Sequence, residues 1–339
     1  MEMRYLGRTG IRVSPLCLGC MMFGGKTTPE DSFAIIDRAI AAGINFLDTA
    51  NVYNDGRSEE VVGQALKRNG HRHHIVLATK VHGNMHKGDA LDPNQWGNSR
   101  RQIIEQCDAS LRRLGTDWID LYQLHRPHVE CPIDETLRAL DDLIRAGKVR
   151  YIGTSTFAAW QIVEALWASK EYGLNRFVTE QPPYHLLDRR IERELIPMCR
   201  TYGIGIIPWS PLAGGFLTGK YRRQGQSQPE GRFADGTHFR APSLLNSDRA
   251  FEVVEGLERL AGEKGCSISQ LAIAWCMQQE GITSPIIGPR TMEQFEDNVA
   301  AVDVHISEED RKVIDQISPP GGVVVPYYEA AFGPHVHRW

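Results

Sequence analysis

PEDSFAIIDRAIAAGINFLD, residues 29–48, places a helix, a stop and a buried strand in one unit. Phe33, Ile36 and Ile40 recur at the spacing of one helix face, so residues 29–42 are expected to form an amphipathic helix. Ala41, Ala42 and Gly43 supply its stop. The apolar run NFLD then reads as a short buried strand ending at Asp48. The pattern returns further along. Residues 98–114 carry Ile103, Ile104, Cys107 and Leu111 on one face before Gly115, and residues 133–146 carry Leu137, Leu140 and Ile144 before Gly147. Repeated helix–glycine–strand endings suit αβ connections.

Working outward, apolar runs that read as buried strands end near Gly19, Asp48, Lys80, His125, Ser155, Gln181, Ser210 and Gly288. Each gap between these ends holds about one strand and one helix, except the last. That gap contains the extra polar segment YRRQGQSQPEGRFADG before helices resume near Asn246. Eight such units predict an α/β fold of the (β/α)8 TIM-barrel type, with the working end at the C-terminal ends of the strands. No compositional linker divides the chain, so residues 1–339 are read as one domain, with residues 319–339 as a tail.

An apolar content of 42% and a charged content of 24% suit a globular enzyme. The net charge of −4 argues against nucleic acid or an anionic membrane as the main partner. The opening residues lack the pattern of a secretory signal, and the chain is expected in the cytoplasm. Thr201–Gly219 runs without a charge but contains Pro208, Pro211 and several glycines, which suits a strand and tight loop better than a membrane helix. The seven cysteines show no disulfide framework. Cys17 and Cys20 are read as small apolar side chains on and after a strand, and His71, His73 and His74 as solvated loop residues. No metal site is expected, although spacing alone leaves a weak contact at these histidines open.

Asp48, Lys80 and His125 each close an apolar run, where an ionisable group is costly unless paired or used. In a barrel these ends converge on one mouth, and Tyr53 lies on the loop leaving the second strand. Taken singly, each has an ordinary structural explanation; their joint placement favours chemistry. A phenol titrates near ~10, and a lysine ammonium beside it favours its release of a proton. Asp48 would hold the lysine, and His125 would orient or polarise a carbonyl. Side chains do not donate hydride, so such a site needs a nicotinamide cofactor.

No G-x-G-x-x-G follows a strand, so a dinucleotide must be held differently. PWSPLAGGFLTGK (residues 208–220) offers Trp209 for stacking, with Ser210, Pro211, Leu212 and Gly214 for close backbone approach. Lys220 and Arg232 are expected on a loop that closes over phosphates. In IIGPRTMEQFEDNV (residues 286–299), Gly288 and the helix start suit an anion, and Arg290 adds a charged fork. Gln294, Asp297 and Asn298 would face the adenine or its ribose, or else form a solvated helix face. Gly19, Cys20 and Met21, where the first strand ends, are counted with this site, as is Asp48.

From about Tyr5 to Ser318 the chain resembles the aldo-keto reductases. YLGRTGIRVSPLCLGCMMFGG is similar to that family's N-terminal signature, GINFLDTANVYNDGRSEEVVGQAL to its Asp-and-Tyr motif, and LATK and YQLHRP to its lysine and histidine motifs. The resemblance implies a catalytic tetrad of Asp48, Tyr53, Lys80 and His125, with Tyr53 the general acid. It also implies that Ser155, Thr156 and Gln181 hold the nicotinamide carboxamide. Thr156 stands where the family often has Asn, and Trp209 where many members have Tyr. The potassium-channel β-subunit branch resembles this chain in having Trp, but commonly departs from histidine at the position of His125. Arg290, near the expected 2′-phosphate, favours NADPH (NADP) over NADH.

The expected activity is therefore NADPH-dependent reduction of an aldehyde or ketone, with a small-molecule carbonyl as partner. The alternatives are a nicotinamide-binding, redox-sensing subunit with little turnover, and a phosphate-binding isomerase or metal hydrolase on the same fold. The last should gather more carboxylate or His ligands than Asp48 and His125. Loops near residues 22–26, 82–96 and 126–131 would line the pocket. The aromatic-rich tail would either cover the mouth or serve as a docking segment of a homo-oligomer.

Overall fold

The computed structural model describes residues 1–85, 93–221, 223, 231, 233 and 241–326. Eight strands build its wall: β1 (Cys17–Gly19), β2 (Phe46–Asp48), β3 (Val76–Val81), β4 (Ile119–Leu124), β5 (Val149–Ser155), β6 (Phe177–Gln181), β7 (Gly205–Ile206) and β8 (Ile286–Ile287). All neighbours are parallel, with β8 beside β1 and the rest in chain order. The ring closes between β7 and β8, where the Ile286 N–H donates to the Pro208 carbonyl at 2.8 Å and the Thr283 N–H to that of Ile206 at 2.8 Å. The fold is the expected (β/α)8 barrel. Strands covered on both faces read as unbroken apolar runs, which is why their positions were legible.

Helices α1 (Pro29–Ala41), α2 (Arg57–Asn69), α3 (Arg100–Leu114), α4 (Ile133–Arg145), α5 (Ala159–Tyr172) and α6 (Leu195–Tyr202) alternate with β1–β6. Between β7 and β8 come α7 (Ala241–Leu245), α8 (Asp248–Lys264) and α9 (Ile268–Met277); α10 (Met292–Val299) and α11 (Glu308–Ile317) follow β8. Side-chain caps set several starts: Thr28 accepts the Asp31 N–H before α1, and Ser99 accepts the Gln102 N–H before α3. Gly115 ends α3 at φ 61°, a left-handed turn that costs glycine little.

The predicted strands near Ser210 and Gly288 are shorter than their apolar runs, since β7 and β8 have two residues each. Pro208 has no N–H to give, so the ladder beyond β7 is broken. Ile207 and Trp209 still donate to the carbonyls of Glu180 (3.0 Å) and Pro182 (2.9 Å), so the chain keeps its course beside β6.

A hairpin of Arg4–Tyr5 and Arg12–Val13 seals the N-terminal end of the barrel. Leu6 and Val13 join Cys17, Phe46, Val76, Ala78, Leu121, Ile207 and Ile286 in an inner apolar cluster, distinct from the larger one between strands and helices. The hairpin sits tightly: a Cβ on Gly7 would lie 2.4 Å from the Val178 oxygen. All seven cysteines are free, and Cys17 and Cys20 are buried as expected. Among the described residues no helix is long and apolar enough to cross a membrane. Residues 319–326 lie along the segment after β6, with the Val324 N–H donating to the Leu187 carbonyl at 2.9 Å. The rest of the tail and Arg232 lie outside the described residues, as do residues 86–92 of the 82–96 loop.

Candidate active site

β2 and β3 deliver Asp48 and Lys80 to the barrel wall, where both are buried; Asp48 pairs in register with Ala78, two residues before Lys80. The Lys80 ammonium pairs with Asp48 Oδ1 and donates to the Thr49 carbonyl at 2.8 Å. Its third direction faces Tyr53 Oη at 3.4 Å. Burial alone lowers the lysine's pKa, but the charges of Asp48 and Tyr53 outweigh it, and the value is raised. Lys80 therefore stays an ammonium although its side chain is fully buried.

Tyr53 reaches this point through an unusual turn. Asn54 (φ 51°), Asp55 (φ 57°) and Gly56 (φ 89°) follow it in the left-handed region, uncommon for non-glycine residues. The Asn54 amide repays part of that strain by donating to the Met21 (2.9 Å) and Phe23 (2.8 Å) carbonyls, which ties the tyrosine loop to the loop after β1. The His125 ring stands edge-on to Tyr53, with centroids 5.6 Å apart and an interplanar angle of 82°. Its pKa lies well below the ordinary value, first through burial and then through the charges of Arg126, Lys80 and His82. The four residues thus form one cluster at the mouth, with a neutral imidazole, an ammonium and a carboxylate around one phenol.

Gln123 belongs to the same network. Its amide donates to Asp48 Oδ2 at 3.1 Å, alongside that of Gln181 at 2.9 Å. Sequence reasoning missed Gln123, although it lies two residues before His125 on the same strand run and so shares its inward face. Beyond His125, the rim carries His82, Trp96 and His128: the Trp96 and His128 rings meet at a tilt of 30° with centroids 4.7 Å apart, and Asn98 contacts both His82 (3.0 Å) and His128 (3.1 Å). In the sequence the 82–96 loop stands out only by its length.

The remaining expected residues divide into groups. Ser155 and Thr156 sit at the end of β5, where the Ser155 hydroxyl donates to the Gln181 carbonyl at 2.9 Å. Trp209 is half-buried beside Pro182 and Pro183, hence next to Gln181. Ser210, Ala213, Gly214 and Gly215 all have positive φ, which folds residues 209–215 into a tight loop with little side-chain bulk. Pro211 is buried there, while Leu212 and Lys220 are partly exposed. Gly19 and Cys20 are buried, and Met21 is exposed.

At the start of α10, Gly288 is open, with nothing within 4 Å of where a Cβ would stand. Among the described residues no carboxylate pairs with the Arg290 guanidinium; the Arg290 backbone contacts Gln294 and Thr27. A guanidinium beside a helix start and a bare glycine is a donor set that fits a phosphate. Gln294 spends its side-chain oxygen on the Arg290 N–H (2.9 Å), and Asp297 Oδ1 accepts from Ser267 (2.8 Å) and Gln270 (2.9 Å) at the start of α9. Among the described residues those bonds leave Gln294 its amide N–H groups and Asp297 its second oxygen. Asn298 is buried. His71, His73 and His74 lie on a short turn before β3, and among the described residues no group of three or more His, Cys, Asp or Glu is arranged to hold a metal.

A parallel barrel whose mouth carries this cluster defines the class, and comparison agrees. The chain belongs to the aldo/keto reductase family, whose profile matches residues 15–319. It is an oxidoreductase by that membership. It is 39% identical over 95% of its length to an uncharacterized oxidoreductase, YrpG, of Bacillus subtilis, covering 98% of that protein. A probable voltage-gated potassium channel subunit beta of Oryza sativa is 38% identical over 90% of this chain and 92% of its own. The versiconal hemiacetal acetate reductase of Aspergillus parasiticus is 35% identical over 95% and 98%.

Proposed function

We propose that this protein reduces an aldehyde or ketone to the alcohol with NADPH, and that Tyr53 gives the proton. The observation that carries this reading is the buried Lys80 ammonium set between the Asp48 carboxylate and the Tyr53 hydroxyl. A bound nicotinamide supplies the hydride. The Tyr53 O–H passes its proton to the carbonyl oxygen as negative charge develops there. Lys80 stabilises the phenolate left behind, and Asp48 fixes Lys80 in place. His125 is neutral at pH 7, so it offers the carbonyl oxygen a hydrogen bond rather than a proton. Trp209, Ser155, Thr156 and Gln181 would hold the nicotinamide end, and Gly288 and Arg290 the phosphate end. Arg290, with no carboxylate partner among the described residues, favours the extra phosphate of NADPH.

The test follows NADPH oxidation with a panel of aromatic aldehydes, α-dicarbonyls, sugar ketones and polycyclic ketones. Tyr53→Phe is expected to lower kcat/KM by about 10²–10⁴ and to leave the NADPH Kd unchanged. Full activity in that variant sinks Tyr53 as the acid. Firm NADPH binding by the wild type with no turnover of any carbonyl replaces the enzyme with a nicotinamide-binding regulatory subunit.

A further inference from the structure

Glu180 precedes Gln181 by one residue, so its side chain leaves β6 on the opposite face, between the wall and the helices. It is fully buried there. Thr154 Oγ1 lies 2.5 Å from its Oε2, and the Phe157 N–H donates to Oε1 at 3.2 Å. Those partners bracket the turn Ser155–Thr156–Phe157. Within it Thr156 has φ 60°, a sparsely populated conformation for a β-branched residue. In front of the turn, Ser155 bonds the Gln181 carbonyl, and the Gln181 amide bonds Asp48. The carboxyl thus grips from behind a strained turn whose front carries the residues assigned to the nicotinamide.

We propose that Glu180 is a positioning residue for the nicotinamide end of the cofactor: its buried carboxyl holds the Ser155–Phe157 turn closed. This rests on the reading of Ser155, Thr156 and Gln181 given above. Burial pushes the Glu180 carboxyl up to about 8, against bonds from Thr154, Phe157 and Thr156 and the charge of Arg126. The ionisable groups facing it are Arg126, after β4, and Cys199 of α6, whose thiol is itself raised by burial and by Glu180 and stays neutral. In the neutral form the carboxyl O–H can donate to Thr154, leaving the Thr154 hydroxyl to donate to the Thr179 carbonyl at 3.3 Å. Ionisation removes that proton and leaves a buried charge, which favours an opened turn.

The test compares wild type, Glu180→Gln, Glu180→Ala and Thr154→Val by NADPH titration calorimetry and by amide exchange without nucleotide. Glu180→Ala is expected to weaken NADPH binding about tenfold and to raise exchange at Thr156 and Phe157, with kcat changed less than KM. Thr154→Val, close to isosteric, should do the same more weakly and serves if the alanine variant does not fold. Glu180→Gln should match wild type near pH 6 and bind more tightly than it near pH 9. Wild-type exchange at Thr156 and Phe157 in Glu180→Ala and Thr154→Val overturns the positioning role. So does a parallel pH dependence of NADPH binding in wild type and Glu180→Gln. If wild type binds no NADPH, the functional reading fails, and the exchange data still decide whether Glu180 holds the turn.

Discussion

Lys80 is fully buried and still charged, and only its partners make that affordable. Its place was legible in the sequence because an ionisable group closing an apolar run needs a reason; Asp48 and His125 stood out the same way. Gln123 and Glu180 did not. A neutral amide carries no cost in a sequence pattern, and Glu180 was passed over because the family resemblance drew the reading to its neighbour Gln181. His125 makes a testable case at this scale. Its folded pKa lies below the ordinary 6.5, so the unfolded chain takes up a proton first as pH falls. The resulting stability is intact above about 6.5 and is lost as pH drops toward the folded value. Between about pH 7.5 and 5.5, His125→Gln is therefore expected to lose less of its Tm than wild type. Equal losses by calorimetry would mean that the imidazole meets no barrier to protonation in the fold.

At the scale of elements, the sequence placed helices and strands well where periodicity and a stop coincide. The expected helix over 98–114 became Arg100–Leu114 behind a Ser99 cap, and that over 133–146 became Ile133–Arg145. It did not show how closely α2 and α3 approach. Gly63 lies inside α2, where alanine ordinarily stabilises by about 1 kcal/mol. Here an added Cβ would stand 2.3 Å from the Leu114 carbonyl oxygen, which is backbone and cannot rotate away. Gly63→Ala is expected to destabilise by about 1–3 kcal/mol in urea unfolding. A gain in stability would show that the two helices are free to separate.

For the whole molecule, closure is the feature that matters most. β7 and β8 are too short to look like a seam, yet the bonds from Thr283 and Ile286 join them. The N-terminal hairpin plugs the end opposite the mouth, and Leu6 is fully buried in the inner cluster. Leu6→Ala is expected to cost about 2–5 kcal/mol of stability, read by denaturant unfolding, with kcat nearly unchanged because the plug and the site occupy opposite ends. Loss of activity at wild-type stability would contradict that separation. The sequence by itself determined the barrel and where its strands end, because burial leaves local marks along a chain, and its motifs pointed by resemblance to the four residues of the proposed chemistry. Only the tertiary structure decided which atoms meet: that Lys80 faces Asp48 and Tyr53, that two glutamines share the same carboxylate, and that Glu180 lies behind the turn. Those pairings depend on strand register and on which face each residue takes across the closed ring, and neither is written in any one segment.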